Sequence, residues 1–227
     1  MGERSPIKTI VLLCVSSDQR SLIAILKRHR PQLKVVPVET PAQLAALTPA
    51  VLSQARLVSF ASPVVVPAEV LKALGCGAYN FHPGPPSYPG RHAESFAIYE
   101  RAQVYGATAH VMFEKVDSGP IVGLEMFEVP GETTVDQLSE LTFAALARLF
   151  WRLAEPLTNC PDSLPEMAIP WSGIKSSRRR YAEMCEVPLD IAENELRHRV
   201  AAFGRGDGFP APTVTLHGFQ FRLVRPK

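Results

Sequence analysis

The chain has 227 residues, a formal net charge of +2, 46% hydrophobic residues and 20% charged residues. This length is enough for one large domain with a buried core, or for one domain with a small appendage. The small net charge argues against non-specific binding of nucleic acid, and the composition is typical of a globular protein.

Four cysteines stand at positions 14, 76, 160 and 185, and no two of them form a Cys-x-x-Cys pair. They therefore predict neither a zinc site nor a disulfide framework, and we expect no metal. The first apolar run is too short to cross a bilayer, and no small-residue cleavage site follows it. These features predict a cytoplasmic protein that makes no membrane contact.

Predicted strands and helices alternate along the first eighty residues. Four short apolar runs predict strands, at residues 9–15, 33–38, 57–60 and 78–81. Three helices are predicted between them, at residues 20–29, 41–47 and 67–74. Pro37 places the second strand near a sheet edge. This order predicts an α/β fold with a doubly wound, mostly parallel sheet.

The rest of the chain predicts a main domain that ends in a long helix, followed by a smaller unit. The remaining elements of the main domain are a helix at 93–105, strands at 108–113 and 121–129, and a helix from 133 to about 155. Four prolines then mark a linker. We therefore predict a catalytic domain over 1–155, a Pro-rich linker over 156–170 and a small α+β C-terminal module over 171–227. That module holds one helix, at 192–203, and two strands, at 213–216 and 219–223.

Asn80 and His82 end the fourth predicted strand and share one of its faces, because side chains alternate along a strand. Ligands of open α/β sheets bind outside the carboxyl ends of strands. An amide there can donate to a developing oxyanion, and an imidazole can act as a general base. Asp117, in the turn beyond the strand that carries His110, could orient an imidazole. Each feature also has a structural explanation, since such Asn, His and Asp residues are common in turns and strands.

Three segments together resemble the signature of the 10-formyltetrahydrofolate-dependent formyltransferases. They are NFHPGPPSYPG at 80–90, GATAH at 106–110 and VDSGPI at 116–121. Their order, residue types and spacing agree together, and the resemblance spans roughly residues 9–153. It implies a Rossmann-like formyltransferase fold, 10-formyltetrahydrofolate as the co-substrate and a primary amine as the acceptor.

The resemblance carries over to individual residues. Asn80, His82 and Asp117 match the catalytic Asn, His and Asp of the family, whereas His110 matches a position outside these three. Two loops are implied to hold the folate, largely through main-chain groups. The first loop contains Ser62, Pro63, Val64, Val65 and Val66, and the second contains Glu114, Lys115 and Val116. Asn80 and His82 would stabilise the oxyanion. His82, helped by Asp117 and a water, would pass the amine proton to the folate leaving nitrogen.

The resemblance constrains the identity of the acceptor amine less than the identity of the co-substrate. The loop after His82 borders the acceptor site and is one residue shorter than the usual family form. Asp18 would repel the phosphate of a glycinamide ribonucleotide. The short C-terminal part resembles the modules of the sugar-nucleotide enzymes more than the tRNA-binding barrel of methionyl-tRNA formyltransferase. An amino-sugar nucleotide is therefore the favoured acceptor. The basic run at 175–180 could face its diphosphate, although such runs are more often solvated surface.

Other functions stay open at this point. The acceptor could be another small amine, such as a hydroxyornithine-type or peptide-carrier substrate, or methionyl-tRNA. Water could replace the amine, as in formyltetrahydrofolate deformylase, or the protein could bind folate without turnover. A homodimer is compatible with the Pro-rich segment, and nothing in the sequence requires one.

Overall fold

The protein was analysed as a computed structural model that describes residues 7–172, 174–205 and 210–223. The strands are β1 (Thr9–Leu13), β2 (Lys34–Val38), β3 (Ala55–Phe60), β4 (Ala78–His82), β5 (Val104–Val111), β6 (Ile121–Glu128), β7 (Glu186–Val187), β8 (Thr213–Leu216) and β9 (Phe219–Arg222). The helices are α1 (Ser16–His29), α2 (Pro41–Ala45), α3 (Pro49–Leu52), α4 (Ala68–Ala73), α5 (Ala93–Tyr99), α6 (Val135–Asn159), α7 (Arg178–Cys185) and α8 (Glu193–Phe203).

A six-stranded sheet with the order β2-β1-β3-β4-β5-β6 forms the centre of the molecule. β1, β2, β3 and β4 run parallel, whereas β5 is antiparallel to both β4 and β6. The predicted α/β fold with a mostly parallel sheet is confirmed. Pro37 lies on β2 at the sheet edge, as predicted, where the missing N–H interrupts no pairing inside the sheet.

Apolar side chains cover both faces of the sheet. On one face, Phe60 and Phe81 pack against Phe150 of α6, with ring centroids 5.6 and 5.2 Å from the Phe150 ring. On the other, Leu13 and Leu57 belong to a second cluster beneath the shorter helices. Burial on both sides explains why the parallel strands are continuous apolar runs without alternation.

A fully buried arginine anchors the chain that follows α6. The Arg56 guanidinium donates to the carbonyl oxygens of Cys76, Leu157 and Asp162 at 2.9, 3.0 and 2.9 Å. Burial lowers the pKa of Arg56, and these carbonyls replace the water that the cation has lost. The chain after α6 is therefore held against β3 as it turns back toward the sheet.

Several predicted boundaries were wrong. The helix predicted over 93–105 ends at Tyr99, because Arg101 adopts a positive φ of 54° and the chain then enters β5. Tyr105 is buried in that strand, where its register pairs it with Phe127. The pairing with β6 extends β5 to Val104, four residues before its predicted start. Long-range pairing has thus overridden the helical spacing of the local sequence.

Helix starts and ends also differ from the prediction. α1 begins at Ser16, so the predicted capping residues form its first turn. α6 continues through Pro156 to Asn159, into the segment predicted as a linker. Helices α3 and α7 were not predicted, and both are short.

The C-terminal part forms a three-stranded sheet in the order β7-β8-β9 beside α7 and α8. It packs on the main domain through Phe203 of α8, whose ring contacts Phe96 and Tyr99 of α5 at 5.3 and 5.7 Å. Residues 1–6, 173, 206–209 and 224–227 of the predicted domains lie outside the described residues. None of the helices in the described ranges combines the length and apolar character needed to cross a membrane.

Candidate active site

The carboxyl end of β4 brings the predicted catalytic residues together. Asn80 pairs in register with His110 of β5, and the Asn80 Nδ2 atom lies 3.2 Å from His110 Nε2. The turn between β5 and β6 returns Asp117 to the same place, with Oδ2 3.7 Å from His82 Nδ1 and Oδ1 3.3 Å from His110 Nε2. One carboxylate therefore lies between two imidazoles.

Asp117 is held by its backbone as well as by its partners. It adopts a positive φ of 47°, and its Oδ2 accepts a 2.8 Å hydrogen bond from the Gly90 amide. Burial alone would raise the pKa of Asp117, but the two histidines and the Gly90 amide outweigh it and hold the pKa at about 2. The side chain is therefore ionised at neutral pH, even though it is only 7% exposed.

His82 is positioned to act as a neutral base. Its Nε2 lies 3.0 Å from the Tyr88 carbonyl oxygen, which can only accept, so Nε2 carries the proton. Burial lowers the pKa of His82, and the nearby Asp117 opposes that effect without reversing it. The neutral ring keeps a lone pair on Nδ1, beside a carboxylate that would stabilise an added proton.

These groups lie in a cleft of about 560 Å³. Its wall includes most of the predicted folate loops, namely Ser62, Pro63, Val64, Val65, Val66, Glu114 and Val116. Lys115 instead lines a neighbouring depression on the other side of this loop. Arg91 fixes the first loop by donating to the Pro63 carbonyl at 2.6 Å.

A C-terminal strap, defined as residues 171, 172 and 174–178, packs against the site, although the sequence favoured solvated surface for its basic part. Trp171 donates from Nε1 to the Gly119 carbonyl at 2.8 Å. Its ring lies edge-on to His82 and His110, with centroids 5.8 and 5.0 Å away. The strap therefore covers both histidines with an aromatic ring.

The rest of the strap is bonded to loops that carry site residues. Lys175 donates from Nζ to the Val116 carbonyl at 2.6 Å, and Ser176 donates from Oγ to the Arg91 carbonyl at 2.5 Å. Lys175, Ser176, Ser177 and Arg178 line the cleft. These partners are 59 and 85 residues apart along the chain, so local sequence carries no sign of the contacts. The basic character of residues 175–180 was the one available signal, and it predicted solvated surface more strongly than a site.

Charged and apolar side chains both line the cleft, and Val64 and Val66 are among the apolar ones. The charged ones are three cations and three carboxylates, namely Arg91, Lys175, Arg178, Glu94, Glu114 and Asp117. Across the described ranges, no group of three or more His, Cys, Asp or Glu side chains is arranged to hold a metal ion. The arrangement combines a base, an ionised carboxylate and an amide beside a pocket large enough for an organic ligand.

Comparison with known families decides the classification. The formyl transferase family model matches residues 30–149, which is more than half of the chain. The chain belongs to the formyl transferase family. The prediction of a one-carbon transferase with a Rossmann-like fold is thereby confirmed. No curated protein sequence matches this chain.

Solved structures of formyltransferases share this fold. A 4-N formyltransferase from Francisella tularensis is 19% identical with a TM-score of 0.71, and the match covers 97% of this chain and 98% of that one. A sugar N-formyltransferase from a Shewanella species is 14% identical with a TM-score of 0.74, and 95% of each chain is covered. An N-formyltransferase from Helicobacter canadensis, solved with folinic acid and dTDP-3-aminofucose, is 18% identical with a TM-score of 0.63. That match covers 87% of this chain and 80% of the other.

Proposed function

We propose that the protein transfers a formyl group from 10-formyltetrahydrofolate to the primary amine of an amino-sugar nucleotide. The observation that carries the proposal is the assembly of Asn80, His82 and Asp117 at the base of one cleft. The family assignment supports the reaction class. The lining cations Lys175 and Arg178 and the folds of the sugar N-formyltransferases support the acceptor class.

The geometry supports a division of labour between the three residues. The acceptor nitrogen attacks the formyl carbon, and an N–H of the Asn80 amide donates to the oxyanion that forms. His82 takes a proton from the attacking nitrogen on Nδ1, where Asp117 stabilises the resulting imidazolium. The carbon–nitrogen bond to the folate then breaks, and His82 returns the proton to the leaving nitrogen. No metal is required at any step.

The cleft has separate chemical zones for the two substrates. The backbone-rich loops at 62–66 and 114–116 form a slot for a flat heterocycle, since main-chain N–H and carbonyl groups can pair with its edge. Lys175 and Arg178, on the strap side, would pair with a phosphate-bearing acceptor. The Helicobacter canadensis enzyme, solved with a folate and a nucleotide-linked amino sugar, supports such a pairing of ligands.

A substrate screen tests this proposal. The protein is incubated with 10-formyltetrahydrofolate and a panel of amino-sugar nucleotides, and mass spectrometry monitors N-formyl products while absorbance monitors the released tetrahydrofolate. We expect one N-formyl product for each tetrahydrofolate formed. If only a different kind of amine were formylated, the proposed acceptor class would be wrong and the proposed reaction class would still hold. Formate release without any amine would indicate a deformylase instead.

A further inference from the structure

The peptide that joins Pro89 to Gly90, here called the 89–90 peptide, is hydrogen-bonded at both of its ends. Its N–H donates to Asp117 Oδ2 at 2.8 Å. Its carbonyl oxygen accepts from the Ser176 backbone N–H at 2.9 Å, and Ser176 Oγ lies 3.1 Å from the same oxygen. A trans peptide is planar, so its carbonyl and its N–H point in opposite directions. Ser176 therefore holds one end of the peptide whose other end holds Asp117.

Ser176 is also bonded to the residue on the other side of Gly90. Its Oγ donates to the Arg91 carbonyl at 2.5 Å, and the Arg91 N–H donates to the Ser176 carbonyl at 3.2 Å. Ser176 is only 5% exposed, so water has little access to compete for these bonds. Because Ser176 is bonded to both neighbours of Gly90, the plane of the 89–90 peptide has little freedom to rotate.

Gly90 allows the strap to approach this closely. Its φ is +99°, in a region that favours glycine because other residues carry a Cβ atom. A Cβ atom on Gly90 would also collide with the Ser176 carbonyl. A larger residue here would therefore push the strap away from the 89–90 peptide.

We propose that Ser176 is a positioning residue for the reaction: by orienting and polarising the 89–90 peptide, it keeps Asp117 in place beside His82. Hydrogen bonds in a chain strengthen one another, because a carbonyl that accepts makes the N–H of its own peptide a better donor. The Asp117 oxygen that accepts from this peptide lies 3.7 Å from His82 Nδ1. The inference rests on the proposed function, in which Asp117 stabilises the protonated His82.

The bond between the Gly90 amide and Asp117 gives the direct test. NMR of the protein labelled with deuterium, carbon-13 and nitrogen-15 measures the coupling across that bond, from the Gly90 nitrogen to the Asp117 carboxyl carbon. Ser176→Ala should weaken this coupling, because the hydroxyl that helps to hold the peptide is gone. Gly90→Ala should weaken it further, because the added Cβ displaces the strap.

Ser172→Ala is the matched control, since Ser172 is an exposed serine on the same strap. The coupling in this variant should equal the wild-type value. A wild-type coupling in Ser176→Ala or in Gly90→Ala would overturn the inference. The measurement needs no turnover, so it separates this inference from the proposed function. If the wild-type protein transferred no formyl group, the coupling would still show whether Ser176 positions Asp117.

Kinetics supply the second arm. Ser176→Ala should lower kcat about three- to tenfold, which is the effect of one neutral hydrogen bond. The KM for folate should stay the same, and Ser172→Ala should keep the wild-type kcat. The double variant that adds Asp117→Ala should lose no more than Asp117→Ala alone, because Ser176 acts through that carboxylate. Losses that multiply, or a wild-type kcat in Ser176→Ala, would contradict the positioning role.

Discussion

The carboxyl end of β4 and residues 175–178 of the C-terminal strap line the same cleft, but they contribute different groups to it. The β4 end supplies the proposed reacting groups, Asn80 and His82, on a strand that is rigid because it is paired on both sides. The strap supplies an aromatic cover, Trp171, and two cations, Lys175 and Arg178. The proposed chemistry is therefore placed on the sheet, and an aromatic contact and positive charge come from a distant segment of the chain. The predictions below test whether this division holds.

The largest expected effects come from the β4 side, from His82, which is treated last, and from Asn80. Asn80→Ala should lower kcat by about 10²–10³-fold, because it removes a donor to the oxyanion. Steady-state kinetics, with circular dichroism as the fold check, measure the effect. Asn194→Ala, an exposed change of the same type on α8, is the matched control and should leave kcat unchanged. A loss of less than threefold in Asn80→Ala would remove this residue from the chemistry.

The next effect is the contribution of the ionised Asp117 carboxylate to the free energy of unfolding. Its pKa is 3.8 as a free group and about 2 in the folded protein, so the unfolded chain binds more protons between these values. The stabilisation of the folded protein by Asp117 is complete at pH values above the pKa of the free group. It is lost as the pH falls through the pKa in the folded protein. It amounts to about 2 kcal/mol.

Urea unfolding of wild type and Asp117→Asn over a pH series checks this expectation. The wild-type protein should be more stable at neutral pH, and the difference should shrink as the solution is acidified toward pH 2. If the difference in the free energy of unfolding between the two proteins stayed constant with pH, the ionised Asp117 carboxylate would not stabilise the folded protein.

The strap side should give smaller losses. Trp171→Ala should lower kcat about tenfold, because the histidines lose their cover and water enters the site. Trp171→Phe keeps a ring and loses only the 2.8 Å bond to Gly119, so it should cost less. Initial rates at saturating substrates compare the two variants. If both variants kept wild-type kcat, the strap would be a mere structural neighbour of the site.

The smallest effect should come from the cations of the strap. Lys175→Gln and Arg178→Gln should each raise the KM of a phosphate-bearing acceptor several-fold, because charge-assisted contacts are lost. The KM for folate should not change. Arg179→Gln is the matched control, because the Arg179 side chain is 89% exposed and does not line the cleft. Equal effects of the Arg178 and Arg179 changes would point to general electrostatic attraction instead of a specific contact.

How far the sequence predicted the molecule depends on the distance between interacting residues. The strands up to β4 were predicted from short apolar runs, and Asn80, His82 and Asp117 were proposed as catalytic from the resemblance of short motifs to a family signature. For the strap the sequence favoured solvated surface over a place in the site, because its partners lie 52 to 85 residues away. The end of α5 was placed too late for the same reason: β6 captures residues whose own spacing is helical. Features set by neighbouring residues could therefore be predicted from the sequence, whereas long-range packing contacts could not.

The acid side of the pH profile tests His82 as a neutral base. Burial lowers the pKa of His82 from 6.5, even though Asp117 opposes the shift and His110 and Lys175 reinforce it. The kcat/KM of the wild-type protein should therefore stay at its plateau down to pH 6.5 and fall only at lower pH. A fall that begins above pH 6.5 would mean that another group, or an imidazole without this desolvation, controls the rate.

The central claim is that His82 carries the proton between the acceptor amine and the folate nitrogen. The most direct measurement is the kcat of His82→Ala in the formyl-transfer assay, with folate binding measured by calorimetry on the same sample. The account predicts a drop in kcat of about 10²–10⁴-fold and folate affinity close to wild type. Near-normal kcat in His82→Ala would contradict the account.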